Sequence, residues 1–322
     1  MGGAAQAIGQ LDTSSRALAV FRKRPMLVMF YPPRAVVTEL DIRDAYKELR
    51  SGGATREQPL AKLDLVLDTY GGDPVSGYRV AQVLRSLCKE MDVLVPEHAY
   101  SAGTLMSFAG DAIRLGDFAG LSPIDITLTE TGAEDEEGVQ LAGIDSFLEF
   151  AHGARRSMEK ILKQLDRNGA CSSVDSDLLV QMVKEIGALT VGKYYRERTL
   201  TGHYAQILLE SYMFRGASDC HSRAASVVGN FLFGAPSHEF HLDYRLAKEW
   251  HLNVVQMSTE ESDLAKAVVN QLRICTDNGI ICHRLNSRVR MPFIRYYATN
   301  SRRTNVSTAQ QTRRARNVKK AS

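Results

Sequence analysis

Short apolar runs alternate with helical patterns along the first third of the chain, and this alternation constrains the fold more than any other feature. Apolar runs at Met26–Tyr31, Leu63–Leu67 and Val93–Val95 have the length of buried strands, and a helical pattern follows each of them. Strands that alternate with helices form β-α-β units, whose strands pair in parallel. We therefore expect an α/β fold of stacked β-α-β units around a mostly parallel sheet, with additional helices in the C-terminal half.

Three segments of different character are predicted. Residues 1–24 resemble a loose leader, residues 25–275 one folded domain, and residues 283–322 a basic, disordered tail. The tail holds nine arginines, two lysines and no acidic residue, so the net charge of +3 divides into +11 there and −8 in residues 1–282. A segment this polar cannot bury a core of its own. Alternatively, its basic clusters tether the protein to nucleic acid or to an anionic surface.

Composition points to a cytoplasmic protein without a cofactor. No run approaches the roughly 20 apolar residues that cross a bilayer, and the N-terminus lacks the pattern of a secretory signal. The five cysteines are scattered without metal-ligand spacing, which is typical of free thiols in a reducing compartment. No Gly-x-Gly-x-x-Gly motif follows a predicted strand, so no nucleotide cofactor is expected.

Two glycine-bearing turns end the second and third predicted strands. Gly71-Gly72 closes the second, and glycine tolerates backbone angles that bring bare N–H groups up to a reacting carbonyl. Ser101 follows the third, at the start of a predicted helix where unpaired N–H groups gather. Side by side, the two turns would form a nucleophile and an oxyanion hole. The alternatives are a helix N-cap for Ser101 and a simple strand-to-helix turn for the glycines.

Six blocks of sequence, taken in order, resemble those of a known family. The blocks are Leu67–Gly72, Val95–Leu105, Ala109–Ile113, Leu121–Asp125, Pro236-Ser237-His238 and Leu246–Val254. They resemble the serine dehydrogenase proteinase family, which belongs to the Clp protease, signal peptide peptidase A and crotonase superfamily, and the resemblance covers about residues 26–256. It implies that residues 25–275 form a Clp/crotonase-like serine protease domain, a serine endopeptidase that acts on peptide or protein substrates as a homo-oligomer.

The resemblance also assigns roles within the site. Ser101 matches the nucleophile position of the superfamily, and Gly72 and Ala102 match the two backbone N–H donors of its oxyanion hole. The departures from the family pattern bear on substrate fit more than on fold. They are Tyr70 in place of Pro, Ser122 in place of Gly, and Asp125-Ile126 in place of Asp-Pro.

A serine at its ordinary pKa needs a general base. A Clp-type histidine would fall near Ser122–Asp125, where there is none. Peptidases of the signal peptide peptidase A kind use a lysine some forty to fifty residues after the serine. At that spacing the chain offers His152, with Lys160 further along the same predicted helix, and we predict one of these two as the base. A base from a neighbouring subunit, or none, is the alternative.

The sequence also allows three other functions to be considered: a zinc site, a crotonase-type enzyme and a non-catalytic scaffold. His238 and His241 lie three apart rather than four, and Pro236 indicates a loop, so a zinc site is not expected. A crotonase-type enzyme would use the Gly71-Gly72 turn to polarise an acyl-CoA thioester. A non-catalytic Clp-fold scaffold would keep Ser101 as a helix cap and bind nucleic acid through the basic tail.

Overall fold

A six-stranded sheet forms the centre of the protein, and all of its strand pairs are parallel. The computed structural model describes residues 2–33, 35–125, 188–277 and 294–298. A separate parallel pair of short strands lies beside the main sheet. The strands are β1 (Met26–Phe30), β2 (Leu60–Asp68), β3 (Cys88–Val95), β4 (His98–Ala99), β5 (Ala112–Leu115), β6 (Gly120–Leu121), β7 (Val254–Gln256) and β8 (Ile294–Ala298).

The spatial order of the main sheet is β7-β5-β3-β2-β1-β8, and helices cover both of its faces. This arrangement confirms the predicted α/β fold with a parallel sheet. Among the described residues, no helix combines the length and the apolar character needed to cross a bilayer. The helices are α1 (Gly2–Arg22), α2 (Glu39–Ser51), α3 (Pro74–Ser86), α4 (Ala102–Ser107), α5 (Ala188–Leu208), α6 (Cys220–Gly229), α7 (Tyr244–Glu249) and α8 (Thr259–Asp277), with π-helical turns at Leu209–Met213 and Asn230–Gly234.

Successive residues of a strand point to opposite faces, and the two faces of the sheet are buried by different helices. Leu63 and Leu65 of β2 pack in one apolar cluster with α2, α3, α4 and the helices α5 to α7. Val66 of β2 and Leu94 of β3 pack in a second cluster with α1 and α8. Because both faces are covered, the buried parts of the strands are largely apolar, as in β1 (Met26–Phe30), and the charged Asp64 of β2 is an exception that the ion pairs below explain.

The loose leader predicted for residues 1–24 is wrong, because helix α1 takes up most of these residues. Leu11 and Leu18 are fully buried, and they pack with Val268 and Leu272 of α8. The segment is rich in Gly, Ala, Gln and Ser, so its sequence does not show a clear apolar face. The apolar face is identified only by its packing against α8.

The predicted disordered tail is also partly wrong. Residues 294–298 form strand β8, which pairs in parallel with β1 from Met26↔Ile294 to Phe30↔Ala298. This is the most aromatic and apolar stretch of the basic segment, so it has the composition of a strand. The rest of the tail lies outside the described residues, as do His152 and Lys160.

An ion-pair network joins α1 and α8 to the sheet. Arg22, at the end of α1, bonds the carboxylate of Asp64 at 2.7 Å and that of Asp92 at 2.8 Å. Glu261 of α8 lies 3.2 Å from Arg22 and also takes a two-pronged contact from Arg114 at 2.6 and 2.7 Å. Asp64 is fully buried, and burial raises the pKa of its carboxyl group, which Arg22 opposes. Each of these charges therefore has a partner of opposite sign.

Candidate active site

The turn after β2 exposes a backbone N–H group. Gly71 and Gly72 have φ values of +115° and +148°, which glycine adopts far more readily than other residues. The Gly71 carbonyl accepts a hydrogen bond from the Val37 N–H at 2.9 Å. Because the C=O and N–H of a trans peptide point in opposite directions, the N–H of Gly72 points away from Val37. No partner for it is found among the described residues.

The turn after β4 lies against this glycine turn. The Thr69 N–H donates to the His98 carbonyl at 2.8 Å, and the Tyr100 N–H donates to the Thr69 carbonyl at 3.0 Å. A Cβ atom added at Gly71 would lie 2.9 Å from the Ser101 Cβ and 3.5 Å from its Oγ. The serine side chain therefore occupies the space that the missing side chain of Gly71 leaves. The predicted juxtaposition of the two turns is present.

Ser101 has an unusual backbone conformation for a residue with a side chain. Its φ of 49° and ψ of −113° place it in a region that only glycine occupies without strain. Ser101 is in the N-cap position of α4, yet its side chain makes no capping hydrogen bond. The capping role considered from the sequence is therefore absent, and the hydroxyl, which is partly exposed, is left to the cleft described below.

A second N–H group without a partner lies at the start of α4. The Ser101 carbonyl accepts from the Leu105 N–H at 3.0 Å, within the first helical turn. The N–H of Ala102 belongs to the same peptide unit and so points backwards, out of the helix. For this group too, no acceptor is found among the residues that the structure describes. Ala102 and Gly72 both line the cleft next to Ser101.

The cleft in front of Ser101 has a volume of about 160 Å³. Its walls come from both glycine turns, from the segment after β6, from α5 and from the loop that precedes α7. Apolar and polar side chains share it, as in many ligand sites. The lining residues are Gly72, Pro74, Ser101, Ala102, Leu105, Ile124, Asp125, Glu197, Thr201 and His238.

A histidine–carboxylate pair lies in the same cleft. The His238 Nδ1 is 2.7 Å from the Asp125 Oδ1, and the two side chains are 28% and 18% exposed. An ionised carboxylate can only accept a hydrogen bond, so Nδ1 carries the proton when the ring is neutral. The Nε2 atom is then an acceptor that can take a proton from a hydroxyl group.

Sequence reasoning missed His238 and Asp125 as partners. By its spacing in the sequence, His238 is related only to His241, as a pair of possible zinc ligands. Asp125 lies in the segment where a Clp-type histidine is expected. The available signal was Pro236-Ser237-His238, which resembles a family element, but 113 residues separate the histidine from its carboxylate. His241 does not join the pair, because its Nδ1 lies 3.0 Å from the Tyr100 hydroxyl.

One group of potential metal ligands is found among the described residues, and an arginine fills it. Asp68, Glu97 and His98 bring ligand atoms within 4.8 Å of one another. The Arg273 guanidinium lies 3.1 Å from Asp68 and 2.5 Å from Glu97, so a cation is already present. This cluster instead fixes the end of β2, since Asp68 also accepts the His98 N–H at 3.0 Å.

Aromatic rings border the turns on the outside. Tyr70 stacks on His98 with ring centroids 4.9 Å apart, and Tyr100 meets His98 edge-on at 5.2 Å. Burial, followed by the nearby Tyr70 and Asp68, raises the pKa of the Tyr100 hydroxyl. The rings support the backbone on either side of the glycine turn and do not line the cleft.

The fold and the two turns together define an α/β protein in which a serine side chain, a histidine–carboxylate pair and a glycine turn border one cleft. Residues 10–136 match the family described as ClpP-like SDH-type serine proteinase. This match confirms the resemblance that the sequence blocks predicted, for the part of the chain that carries β1 to β6 and both turns.

Two curated relatives come from Methanocaldococcus jannaschii. The uncharacterized protein MJ0137 is 26% identical over 155 residues, which are 46% of this chain and 52% of the relative. The uncharacterized protein MJ1495 is 26% identical over 111 residues, 34% of this chain and 37% of the relative. The chain thus spans about half of the length of MJ0137 and less of MJ1495.

Among solved structures, the chain is similar to two mutants of the 1510-N membrane-bound stomatin-specific protease. A serine-to-alanine mutant matches with 12% identity and a TM-score of 0.43, over 85% of this chain and 97% of that chain. A lysine-to-alanine mutant in complex with a substrate peptide matches with 12% identity and a TM-score of 0.42, over 89% of this chain and 97% of that chain.

Proposed function

We propose that the protein is a serine peptidase in which Ser101 is the nucleophile and His238, oriented by Asp125, is the general base. One observation carries the proposal: a single cleft is lined by Ser101, by the His238–Asp125 pair, and by Gly72 and Ala102, whose N–H groups have no partner within the part of the chain that the structure describes. The match of residues 10–136 to a serine proteinase family supports it.

In the proposed mechanism the Ser101 Oγ attacks the carbonyl carbon of a peptide bond while the His238 Nε2 takes the hydroxyl proton. Asp125 stabilises the imidazolium ion that forms and holds the ring in orientation. The carbonyl oxygen becomes an oxyanion, and the N–H groups of Gly72 and Ala102 bind it. The imidazolium then gives its proton to the departing amine, which leaves an acyl group on the Ser101 Oγ. A water molecule next gives a proton to the His238 Nε2 and attacks the acyl carbon, and the imidazolium returns that proton to the Ser101 Oγ as the carboxylic acid product leaves.

The histidine–carboxylate pair favours this mechanism over the other two functions. A crotonase-type enzyme needs the paired N–H groups but no serine nucleophile. A scaffold needs neither, and it gives no reason for the strained backbone of Ser101. His152 and Lys160 stay predictions as alternative bases, because they lie outside the described residues.

Labelling with a fluorophosphonate probe tests the proposal, because the probe reacts with activated serines. We expect the wild type to be labelled and Ser101→Ala to be unlabelled. His238→Gln and Asp125→Asn should slow labelling by about 10²–10⁴-fold, the range that a general base contributes. Cleavage of a casein-derived peptide library, read by mass spectrometry, should follow the same order.

A matched control is available elsewhere on the surface. His221 and Glu210 form another pair with an Nδ1–Oε1 distance of 2.7 Å, but His221 is 83% exposed and does not line the cleft. His221→Gln should therefore label like the wild type. Equal labelling of wild type and Ser101→Ala would contradict an activated Ser101. A loss in His221→Gln as large as in His238→Gln would contradict the assigned base, and stabilisation by acyl-CoA without peptide cleavage would favour the crotonase-type function.

A further inference from the structure

We propose that Ser122 is a positioning residue that holds the nucleophile turn in its reactive conformation, an inference that rests on the proposed function. The Ser101 N–H donates to the Ser122 Oγ at 2.7 Å. The Ser122 hydroxyl in turn points its own hydrogen at the Pro123 carbonyl, 3.0 Å away. The oxygen therefore presents a lone pair to the N–H of Ser101.

This contact lies at the point of greatest backbone strain in the site. A non-glycine residue with the φ of +49° found at Ser101 persists only where its surroundings hold it. The peptide that joins Tyr100 to Ser101 is fixed on one side by its own carbonyl, which accepts the Gly103 N–H at 2.7 Å. The Ser122 hydroxyl fixes it on the other side. If that bond is lost, the turn can relax and the Ser101 Oγ moves away from the cleft.

Ser122 is itself rigidly held. It is only 2% exposed, and its N–H donates to the Thr104 Oγ1 at 3.0 Å. Thr104 is fully buried in α4, and its hydroxyl lies 2.6 Å from the Ala99 carbonyl and 2.9 Å from that of Ser122. A rigid, desolvated acceptor can impose a geometry on its partner, which a mobile surface side chain cannot do.

The bond also determines which N–H groups are available to an oxyanion. The N–H of Ser101 is occupied by Ser122, whereas those of Gly72 and Ala102 are not. In addition, Asp125 follows Ser122 by three residues and bonds His238. The short segment 122–125 thus positions the nucleophile at one end and the base at the other.

The experiment compares Ser122→Ala with Ser107→Ala in peptide cleavage and fluorophosphonate labelling. Ser107 is a matched control: it is fully buried in α4, and its hydroxyl donates to the Gly103 carbonyl at 2.9 Å without contacting Ser101. Ser122→Ala should lower kcat and the labelling rate about 10- to 100-fold, because small misplacements of reacting groups cost this much. KM should stay within about twofold of the wild-type value, since no substrate contact is removed. Ser122→Thr keeps the acceptor oxygen and should restore most of the rate.

The alternatives give different results. If Ser122→Ala reacts like Ser107→Ala while Ser101→Ala is inert, the proposed function stands and the positioning role is overturned. If the wild type itself does not react, both fall. Amide hydrogen exchange of the wild type provides a check that needs no variant: the Ser101 N–H should exchange more slowly than the Ala102 N–H, and equal rates would contradict the inference.

Discussion

The buried charges at the level where β1 and β5 begin contrast with the polar groups at the carboxyl ends of β2 and β4. Arg22, Asp64 and Asp92 form ion pairs with one another in a buried network that joins α1 to the sheet. The N–H groups of Gly72 and Ala102 have no partner among the described residues, and both residues line the cleft. The paired charges stabilise the fold, whereas the proposed mechanism uses the two N–H groups to bind an oxyanion. The two regions thus differ in whether their polar groups satisfy one another.

The largest expected effect follows from breaking the buried ion-pair network around Arg22. Arg22→Met leaves fully buried Asp64 with only the longer contact of Arg24 at 3.4 Å. We expect the free energy of unfolding to fall by about 3–5 kcal/mol, because an uncompensated charge stays buried. Urea denaturation measures the change. Arg16→Met, on the same helix, removes an exposed pair with Asp12 and should cost about 1 kcal/mol or less. Equal losses in the two variants would refute the contrast between the regions.

The next largest effect is expected at the glycine turn that follows β2. Gly72→Ala places a Cβ atom 2.5 Å from the Val37 carbonyl oxygen, so the turn must move and the oxyanion donor with it. Peptide cleavage and probe labelling should fall by about 10²–10³-fold. Gly53 also has a positive φ, +93°, but open space around it. Gly53→Ala should cost about 1–3 kcal/mol of stability and leave the labelling rate unchanged. A Gly72→Ala variant with full activity would exclude this turn from the site.

A smaller effect is expected where the two regions meet. Arg273→Met removes the cation that faces Asp68, a carboxylate with 2% exposure at the end of β2. Asp68 keeps the His98 N–H, and Arg273 is partly solvated, so thermal unfolding should show a loss of about 1–3 kcal/mol. Lys266→Met, on the same helix, breaks a 3.6 Å pair with exposed Asp117 and should have almost no effect. A neutral Arg273→Met would mean that the end of β2 needs no support from α8.

The smallest effect is a pH dependence at the first residue of β3. Burial raises the pKa of the Cys88 thiol from its ordinary value of 9.0 to about 12. The folded state therefore resists ionisation, and stability is lost as the pH rises from about 9 towards 12. Between pH 8 and 10 the wild type should lose about 1 kcal/mol more than Cys88→Ala, because one pKa unit corresponds to 1.36 kcal/mol. Identical pH profiles in urea denaturation would show that the thiol is not buried.

The local parts of the fold are predictable from the sequence. The apolar runs predicted as strands match β1 except for Tyr31 and lie within β2 and β3, and the helical patterns predicted to follow them correspond to α2, α3 and α4. Short-range patterns of this kind depend on residues close in the chain. Helix α1 could not be predicted in the same way, because the surface that buries its Leu11 and Leu18 belongs to α8, at the other end of the folded region.

The candidate site also combines features that depend on neighbouring residues with features that depend on residues far apart in the chain. The juxtaposition of the two turns could be predicted, since glycine and serine in strand-end turns have local conformational reasons to be there. The roles of Ser101, Gly72 and Ala102 stay proposals. The pairing of His238 with Asp125 could not be predicted, because it depends on how the chain after α6 returns to the cleft. Two residues 113 positions apart give no periodic or spacing signal.

The distance in sequence between Asp125 and His238 has a consequence for biosynthesis. Domains form from the N-terminus as a ribosome delivers the chain, so Ser101 and both glycine turns leave the ribosome well before His238. In the proposed mechanism the nascent polypeptide therefore lacks its general base until the loop that holds His238 has been translated and has reached the cleft.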